Sequence, residues 1–190
     1  MYPKTQIEDL VKNGNGDIAD LVGKQSNGKG ILSILENLGY LPADFDAQFL
    51  LDLVDSENPK IRLLAIKNLA KLNRIEFLTI FWDAFRKETD TTTRREIVSA
   101  IGRLRKPQNK PFLFQILEDE DPKVVCQAIR GLLVYDDDDS VKRRLKPLMH
   151  HPNEIVRNVI HKGYFAEKGS STNYLASFTR FSRRANSHAL

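Results

Sequence analysis

The sequence has few of the residues that hold a protein together through covalent bonds or metal ions. Its 190 residues include one cysteine, Cys126, and four histidines, so an internal disulfide is excluded and a structural zinc site is not expected. No apolar run approaches the roughly eighteen residues of a membrane span, and the first residues lack the apolar stretch of a secretory signal. We therefore expect a chain that works in the reducing cytoplasm and not in a membrane.

Apolar residues and a small excess of positive charge are what the sequence does have. Hydrophobic residues make up 41%, which is enough for a folded core in a chain of this length. The formal net charge is +4 and is uneven: residues 1–46 carry −3, residues 47–167 carry +3 and residues 168–190 carry +4. Such a surface favours nucleic acid or an acidic protein as the partner, and ordinary solubility is the alternative.

The middle of the chain repeats a unit of two apolar helices, which we call helix A and helix B, joined by a short polar turn. In the first unit residues 49–54 predict helix A, and apolar residues three or four apart over 61–72 predict the buried face of helix B. Asn58 is the predicted N-cap of helix B. Pro59 then stands at the first helical position, where its missing N–H costs nothing.

Three further units follow the first. Their A helices are predicted at 77–85, at 112–117 and just before residue 150. Helix B is predicted to begin at the capping box of residues 93–96 in the second unit and at Asp121 in the third. These hairpins recur every thirty residues or so, which predicts a stacked helical array.

A small residue is predicted to recur in phase along the B helices. Counted from the proposed caps, the seventh residue is Ala65, Ala100 and Ala128 in the first three units, and Asn158 in the fourth. A small side chain at this place lets two helices approach closely. The alanines therefore support stacking, and Asn158 makes the fourth copy the least regular.

Residues 55–65 and 119–128 resemble HEAT repeats, in particular the short HEAT-like repeats of phycobilisome lyase-type proteins. The resemblance spans roughly 47–165. It departs in the second unit, which lacks the turn proline, and at Val125, where the family usually has arginine. It implies an all-α fold, a right-handed α-solenoid of four to five HEAT-like helical hairpins with helix B on the concave side. It does not imply lyase chemistry, since such repeats occur in proteins of many functions.

The resemblance also implies a structural role for several charged residues. In HEAT arrays, turn aspartates and helix-B arginines often pair between neighbouring repeats. We expect this role for Asp55, Arg62, Asp121 and Arg157, in preference to ligand contact.

Three regions follow from these patterns. Residues 1–46 are expected to form an N-terminal helical cap, with a degenerate repeat as the alternative, and residues 47–167 the HEAT-like repeat array. Residues 168–190 are expected to be a basic, serine-rich tail or linker. The chain is expected with equal weight to be a segment of a longer protein or a protein by itself.

Several patterns suggest chemistry but have a simpler interpretation. Residues 23–30 have nearly the spacing of a phosphate-binding loop. However, Gly30 stands where serine or threonine must hold Mg²⁺, and the preceding segment favours helix over strand. We expect a glycine-rich connection between helices there, with Lys24 and Lys29 as candidate phosphate contacts. The acidic run 136–139 lacks the glycine and glutamate of a calcium loop and is expected to be a solvated loop.

Other reactive residue types do not form a recognisable site. His150, His151 and His161 lack the carboxylate spacing of a metal centre, so no metal is expected. Cys126 stands in a core-facing stretch and is expected to be a small packed residue. Trp82 and Asp83 suggest the aromatic and acidic pair of HEAT-like DNA glycosylases, but the other residues of such a site cannot be aligned.

Basic residues on or near the B helices are the strongest functional signal. Stacked helices would bring them onto one concave strip, which can follow a phosphate backbone without reading bases. The tail adds arginines interleaved with Phe178 and Phe181, a pattern suited to single-strand contact. The predicted binding residues are Lys60, Lys67, Lys71, Arg94, Arg95, Arg103, Arg105, Lys106, Lys123, Arg130, Arg143, Arg144, Arg180, Arg183 and Arg184. The alternative is a solvated surface with an unstructured tail.

We therefore predict a non-catalytic recognition scaffold without a cofactor, a metal or a small-molecule substrate. The favoured partner is nucleic acid, with the chain acting as a targeting or accessory domain of a larger DNA-acting system, for example a DNA modification or methyltransferase system. The alternative is a protein–protein interaction scaffold that binds an acidic partner. A HEAT-like DNA glycosylase is the least favoured of the three.

Overall fold

The computed structural model describes residues 2–13, 16–25 and 27–164, and within these ranges the chain is all-α, without a β-strand. The α helices are α1 Lys4–Asn13, α2 Gly16–Gly23, α3 Gly28–Asn37, α4 Gln48–Asp52, α5 Pro59–Leu72, α6 Leu78–Lys87, α7 Thr91–Arg103, α8 Lys110–Ile116, α9 Pro122–Leu132, α10 Asp139–Leu145 and α11 Glu154–Tyr164. Short 3-10 segments follow α4, α9 and α10 and precede α6 and α8. The all-α repeat fold predicted from the sequence is confirmed.

The helices form four hairpins in which the A helices are α4, α6, α8 and α10 and the B helices are α5, α7, α9 and α11. Each A helix, or the 3-10 segment that extends it, contacts the B helix that follows. Two of the predicted N-caps are confirmed. Asn58 Oδ1 accepts a hydrogen bond from the Lys60 N–H at 3.0 Å, and Asp121 Oδ1 accepts one from the Lys123 N–H at 2.8 Å.

The predicted start of the second B helix is wrong. In the fourth unit the helix begins after residue 153, two residues beyond the start implied by the count to Asn158. Helix α7 is capped by Asp90, whose Oδ1 accepts from the Thr93 backbone N–H at 2.7 Å and from its hydroxyl at 2.8 Å. Aspartate is a stronger N-cap than threonine, so the helix begins about a turn earlier than the capping box predicts. Helix α11 is capped by Asn153, whose Oδ1 accepts from the Ile155 N–H at 2.9 Å, and it begins after Pro152.

The observed caps give the array a more regular period than the sequence suggested. They are Asn27, which caps α3, and then Asn58, Asp90, Asp121 and Asn153, each 31 or 32 residues from the next. Seven residues after the caps of the B helices stand Ala65, Ile97, Ala128 and Ile160, all buried. Ala100 is therefore not in phase with the other two alanines, and that prediction is wrong.

The B helices pack against one another in chain order, and α3 continues their stack on the N-terminal side. Contacts join α3 to α5, α5 to α7, α7 to α9 and α9 to α11, whereas contacts between successive A helices are weaker. The B helices therefore form the continuous layer of the array, which the resemblance to HEAT repeats assigns to the concave side. Helices α7 and α9 come especially close, because both have a glycine where they cross. A Cβ added to Gly102 would lie 3.0 Å from the Gly131 Cα.

An arginine four residues after the cap bridges the first and second repeats. Arg62 Nε and Nη2 donate to the two carboxylate oxygens of Glu88, each at 2.7 Å, and Arg62 Nη1 donates to the Ser56 carbonyl at 2.8 Å. Burial alone would raise the pKa of Glu88. The hydrogen bonds from Arg62 and from the backbone N–H groups of Asp90 and Thr89 outweigh it and hold this pKa below its usual value.

The same position bridges the second and third repeats. Arg94 donates to the Asp119 carboxylate and lies over the Phe85 ring, with its guanidinium carbon 4.3 Å from the ring centroid. Pairing between repeats therefore occurs as the resemblance implied, but the arginines do not pair with the expected aspartates. Asp121 is an N-cap, and Asp55 pairs with Lys87 of the second repeat at 3.6 Å.

Candidate functional site

The B helices expose one face to solvent, which we call the B face. Residues three and seven places after each B-helix cap are buried. The B face consists of the places two, five, six, nine and thirteen after the cap. Side chains at two, nine and thirteen are mostly exposed, whereas those at five and six are mostly half-buried, and Cys126 and Val159 among them are buried.

Basic residues dominate the B face. Those on α3 and the B helices, together called the cationic strip, are Lys29, Lys60, Lys67, Lys71, Arg95, Arg103, Lys123, Arg130 and Lys162. The acidic side chains at the same places are Glu36 and Glu96. The strip thus gathers positive charge from five successive helices.

Helix geometry sets the spacing of these charges. The place two after the cap holds Lys29, Lys60 and Lys123, and the place nine after it holds Lys67, Arg130 and Lys162. The two places are about 10 Å apart along a helix, and packed helices are about 8–10 Å apart. Helix α7 has Thr92 and Ser99 at these places, so positive charges lie about 10 or 20 Å apart from helix to helix, over a surface about 40 Å long.

Much of the positive charge on the strip is available to a ligand. Lys67, Lys123 and Arg130 make no side-chain hydrogen bond or ion pair with any other described residue. Lys60 Nζ lies 3.1 Å from Glu36 Oε1, with both side chains well exposed, and Arg103 contacts Glu96. An exposed pair such as Lys60–Glu36 contributes little to stability, so a phosphate can replace that carboxylate at small cost.

Lys71 is the member of the strip with the strongest attachment to its surroundings. Its Nζ donates to the Gly39 carbonyl at 2.8 Å and to Asn68 Oδ1 at 2.7 Å. Desolvation by these neighbours lowers the pKa of Lys71 to about 8. Lys71 is therefore still mostly charged at pH 7, and it joins the strip to the loop that follows α3.

The structure places the other predicted binding residues elsewhere. Arg94 is part of the bridge between repeats, and Arg105 and Lys106 lie in the turn after α7. Arg143 and Arg144 lie on α10 in the A layer, where the Arg144 guanidinium carbon is 5.7 Å from the centroid of the Phe114 ring. Arg180, Arg183 and Arg184, with Phe178 and Phe181, lie outside the residues that the structure describes.

Sequence reasoning missed Lys162. It stands nine places after Asn153, as Lys67 and Arg130 stand nine places after their own caps. The signal was present, but the misplaced start of α11 concealed it. Lys29 was considered only as part of the glycine-rich segment, although it stands two places after Asn27, as Lys60 does after Asn58.

The segments with weaker chemical signals have structural roles. Residues 23–30 connect α2 to α3, and Asn27 Oδ1 accepts from the Lys29 N–H at 3.1 Å. Asp138, in the acidic run, caps α10 and pairs with Lys110, whose hydrogen bond is the main reason that the pKa of Asp138 lies far below its usual range. Cys126 is buried, and that burial raises the pKa of its thiol.

The aromatic and acidic pair of the glycosylase hypothesis lies away from the cationic strip. Trp82 and Asp83 belong to α6, in the A layer. The Trp82 ring packs against Phe85 and Phe112, with centroid distances of 5.7 and 5.1 Å, and Asp83 lies 3.5 Å from Arg86. Trp82 therefore helps hold α6 and α8 together, whereas Asp83 pairs within its own helix.

Comparison with known proteins identifies the repeats. Residues 78–162 match the family model of HEAT repeats, a span that covers the second, third and fourth hairpins. The second, third and fourth hairpins are HEAT repeats. The first hairpin has the same type of cap and the same stacking, as the cap period shows.

A solved structure has a similar fold. It is a crystal structure described as an engineered protein from the Northeast Structural Genomics Consortium, and it aligns with a TM-score of 0.54 and 16% identity over 85% of this chain and 83% of the other. At this identity the likeness concerns the fold alone. No curated protein matches the sequence. None of the helices in the described ranges is long and apolar enough to cross a bilayer.

HEAT repeats form helical scaffolds for interactions, and the chain has that architecture. The chemical character of the partner is a separate question, which the charges of the B face address.

Proposed function

We propose that the cationic strip binds the phosphate backbone of nucleic acid. In this proposal the chain is a non-catalytic recognition module, a targeting or accessory part of a larger DNA-acting system. The observation that supports it is the register of the charges: lysines and arginines from α3 and the four B helices lie on one face of the stack.

The physics of polyanion binding fits this arrangement. Cations that neutralise phosphates release condensed counterions, which makes binding favourable at low salt and strongly dependent on salt concentration. Contacts to phosphates position a protein on nucleic acid but read no bases. We therefore expect the strip to bind many sequences with similar affinity.

Fluorescence anisotropy with a labelled duplex of random sequence tests the proposal. If about six phosphates are contacted, affinity should fall about a thousandfold between roughly 50 and 200 mM salt. The double variant Lys67→Glu, Arg130→Glu should bind weakly and reduce the salt slope by about two or more. The control Arg86→Glu, Lys146→Glu makes the same change in net charge on the A layer and should bind as the wild type does.

Two results would contradict the proposal. One is an absence of duplex and single-strand binding by the wild-type chain at low salt. The other is an equal loss of affinity in the two double variants, which would mean that only the total charge matters.

An acidic protein is the second candidate partner. Glu36 and Glu96 already place carboxylates against Lys60 and Arg103, so the strip accepts this chemistry. A polyglutamate peptide of matched charge distinguishes the two. If the peptide displaces the duplex at an equal concentration of negative charge, an acidic protein is the favoured partner. If it displaces the duplex poorly, nucleic acid is the favoured partner.

A further inference from the structure

Tyr40 is an aromatic side chain that the fold holds out into solvent. It is 65% exposed, while Leu38 and Leu41 on either side of it are 0% and 4% exposed. Among the described residues its ring has no aromatic partner, and its hydroxyl has no hydrogen bond. An aromatic ring this exposed loses the free energy that burial would give it. Leu38 and Leu41 are buried and fix the direction of the chain between them, so the Tyr40 side chain is left in solvent.

The loop that carries Tyr40 is fastened to the B-helix stack. Gly39 has φ +60°, which turns the chain after α3, and a Cβ there would lie 2.9 Å from Glu8 Oε1. The Gly39 carbonyl accepts from Lys71 Nζ at 2.8 Å. Arg74 Nη2 donates to the carbonyls of Ala43 and Phe45, farther along the loop, at 2.6 and 2.7 Å. The ring is therefore attached to a positioned segment of backbone.

These contacts also place Tyr40 beside the cationic strip. Lys71 lies in the last turn of α5, and Tyr40 follows the turn at Gly39 that ends the neighbouring unit. The hydrogen bond from Lys71 to Gly39 brings its ammonium group to the peptide next to Tyr40. An exposed ring at the edge of a row of cations is the combination that binds unpaired bases, since the cations hold phosphates and the ring stacks on a base.

We propose that Tyr40 stacks on an unpaired nucleobase of a strand whose phosphates lie on the cationic strip, a role that rests on the function proposed above. The ligand would then be single-stranded nucleic acid, or a duplex with a frayed or flipped base. Stacking of this kind tolerates any base, because every base has a π face.

Three oligonucleotides of equal length and charge separate the contribution of the base from that of the phosphate: oligo-dT, an abasic strand with the same backbone, and oligo-dT with one internal abasic site. The full chain at about 50 mM salt should bind oligo-dT about tenfold more tightly than the abasic strand, as expected for one stacked base. Tyr40→Ala should remove that preference and leave affinity for the abasic strand unchanged. Tyr40→Phe should keep it.

Ile75→Ala is the matched control, since it truncates another exposed apolar side chain, in the 3-10 segment before α6 and away from the B face. It should bind all three strands as the wild type does, and thermal melts should show that every variant is folded. If the wild type binds oligo-dT and the abasic strand equally, or if Tyr40→Ala keeps the preference, stacking is overturned and phosphate binding stands. If the wild type binds no strand, the proposed function itself is overturned.

Discussion

The junctions between the first three repeats differ from the junction between the third and fourth at the same two positions. In the first two junctions an arginine four residues after a cap meets a carboxylate two residues before the next cap, as in Arg62 with Glu88. At the third junction these positions hold Val125 and His151, and neither can form the bridge. Val125 is buried, and His151 Nδ1 accepts from the Asn153 N–H at 3.1 Å.

Helices α9 and α11 still pack together at the third junction, but its ion pair lies in the A layer. Lys110, at the start of α8, pairs with Asp138, the cap of α10, and Tyr135 donates to Asn109 Oδ1 at 3.1 Å. Arg157 keeps the arginine position but donates to backbone carbonyls within its own turn, those of His151 and Pro152, at 2.7 Å. Repeats in one array can therefore be joined near the B-helix caps or through the A layer.

The comparison matters for the proposed interface because the junctions set the spacing of the cationic strip. Lys67 and Arg130 are positioned by helices within the arginine-bridged part, whereas Lys162 lies on α11 beyond the unbridged junction. Substitutions at the bridges should therefore lower the free energy of unfolding directly. They should affect nucleic-acid binding only indirectly, by shifting the helices that carry the cationic strip.

The largest effect is expected from removal of a bridging carboxylate. Glu88→Ala leaves the Arg62 guanidinium without its counter-charge and frees the buried N–H of Asp90, so we expect the free energy of unfolding to fall by about 3 kcal/mol. His151→Ala is the control at the equivalent position and should cost about 1 kcal/mol or less. Urea denaturation measures both, and equal losses would remove the distinction between the junctions.

Close helix approach at the second junction should give the next largest effect. Gly131→Val would place a branched side chain against the Gly102 Cα and Leu113, and we expect a loss of about 2 kcal/mol. Gly163 offers the contrast at the third junction, because its nearest neighbour is the end of the Leu133 side chain, which can move. Gly163→Val should cost clearly less in the same denaturation assay, and a greater loss there would contradict this account.

A bridge built into the third junction would sharpen the comparison. Val125→Arg alone buries an unpaired charge and should destabilise the chain, whereas Val125→Arg with His151→Glu recreates the pairing of the earlier junctions. In a double-mutant cycle we expect the two substitutions to be coupled favourably by about 1 kcal/mol. Zero coupling would show that the two positions do not meet at this junction.

The bridge between the first and second repeats should also depend on pH. The pKa of Glu88 is lower in the folded chain than its unfolded value of about 4.3, so its carboxylate contributes stability that is fully present above that value. This contribution is lost as pH falls through the unfolded value towards the folded one. The stability advantage of the wild type over Glu88→Gln should therefore shrink between about pH 5 and pH 2. An advantage that stays constant would exclude a titrating bridge.

Much of the fold could be predicted because apolar spacing and helix caps are local signals. Where a proline follows the cap directly, as after Asn58 and Asp121, the predicted helix start is correct. In the second unit Asp90 and Thr93 both resemble caps, and the choice between them depends on how the chain leaves α6. In the fourth unit Pro152 precedes Asn153 instead of following it, so the proline points to the wrong start.

The candidate site was predicted less completely because one residue of helix register decides which way a side chain points. Arg94 and Arg95 are neighbours in sequence, yet Arg94 enters the bridge to Asp119 and Arg95 reaches the B face. Arg144 has as basic a side chain as Arg130, but its helix belongs to the A layer. The exposed position of Tyr40 follows from the turn at Gly39 and from contacts with α5. Such contacts join residues far apart in the sequence, so a local sequence pattern cannot predict them.

Lysine footprinting tests the central claim most directly. The full chain is acetylated briefly with and without a saturating duplex at about 50 mM salt, and modification at each lysine is measured by mass spectrometry. We expect Lys60, Lys67 and Lys123, on the cationic strip, to be protected, and Lys87 and Lys146, in the A layer, to react as before. Protection spread evenly over both layers, or confined to the A layer, would contradict a binding surface on the B helices.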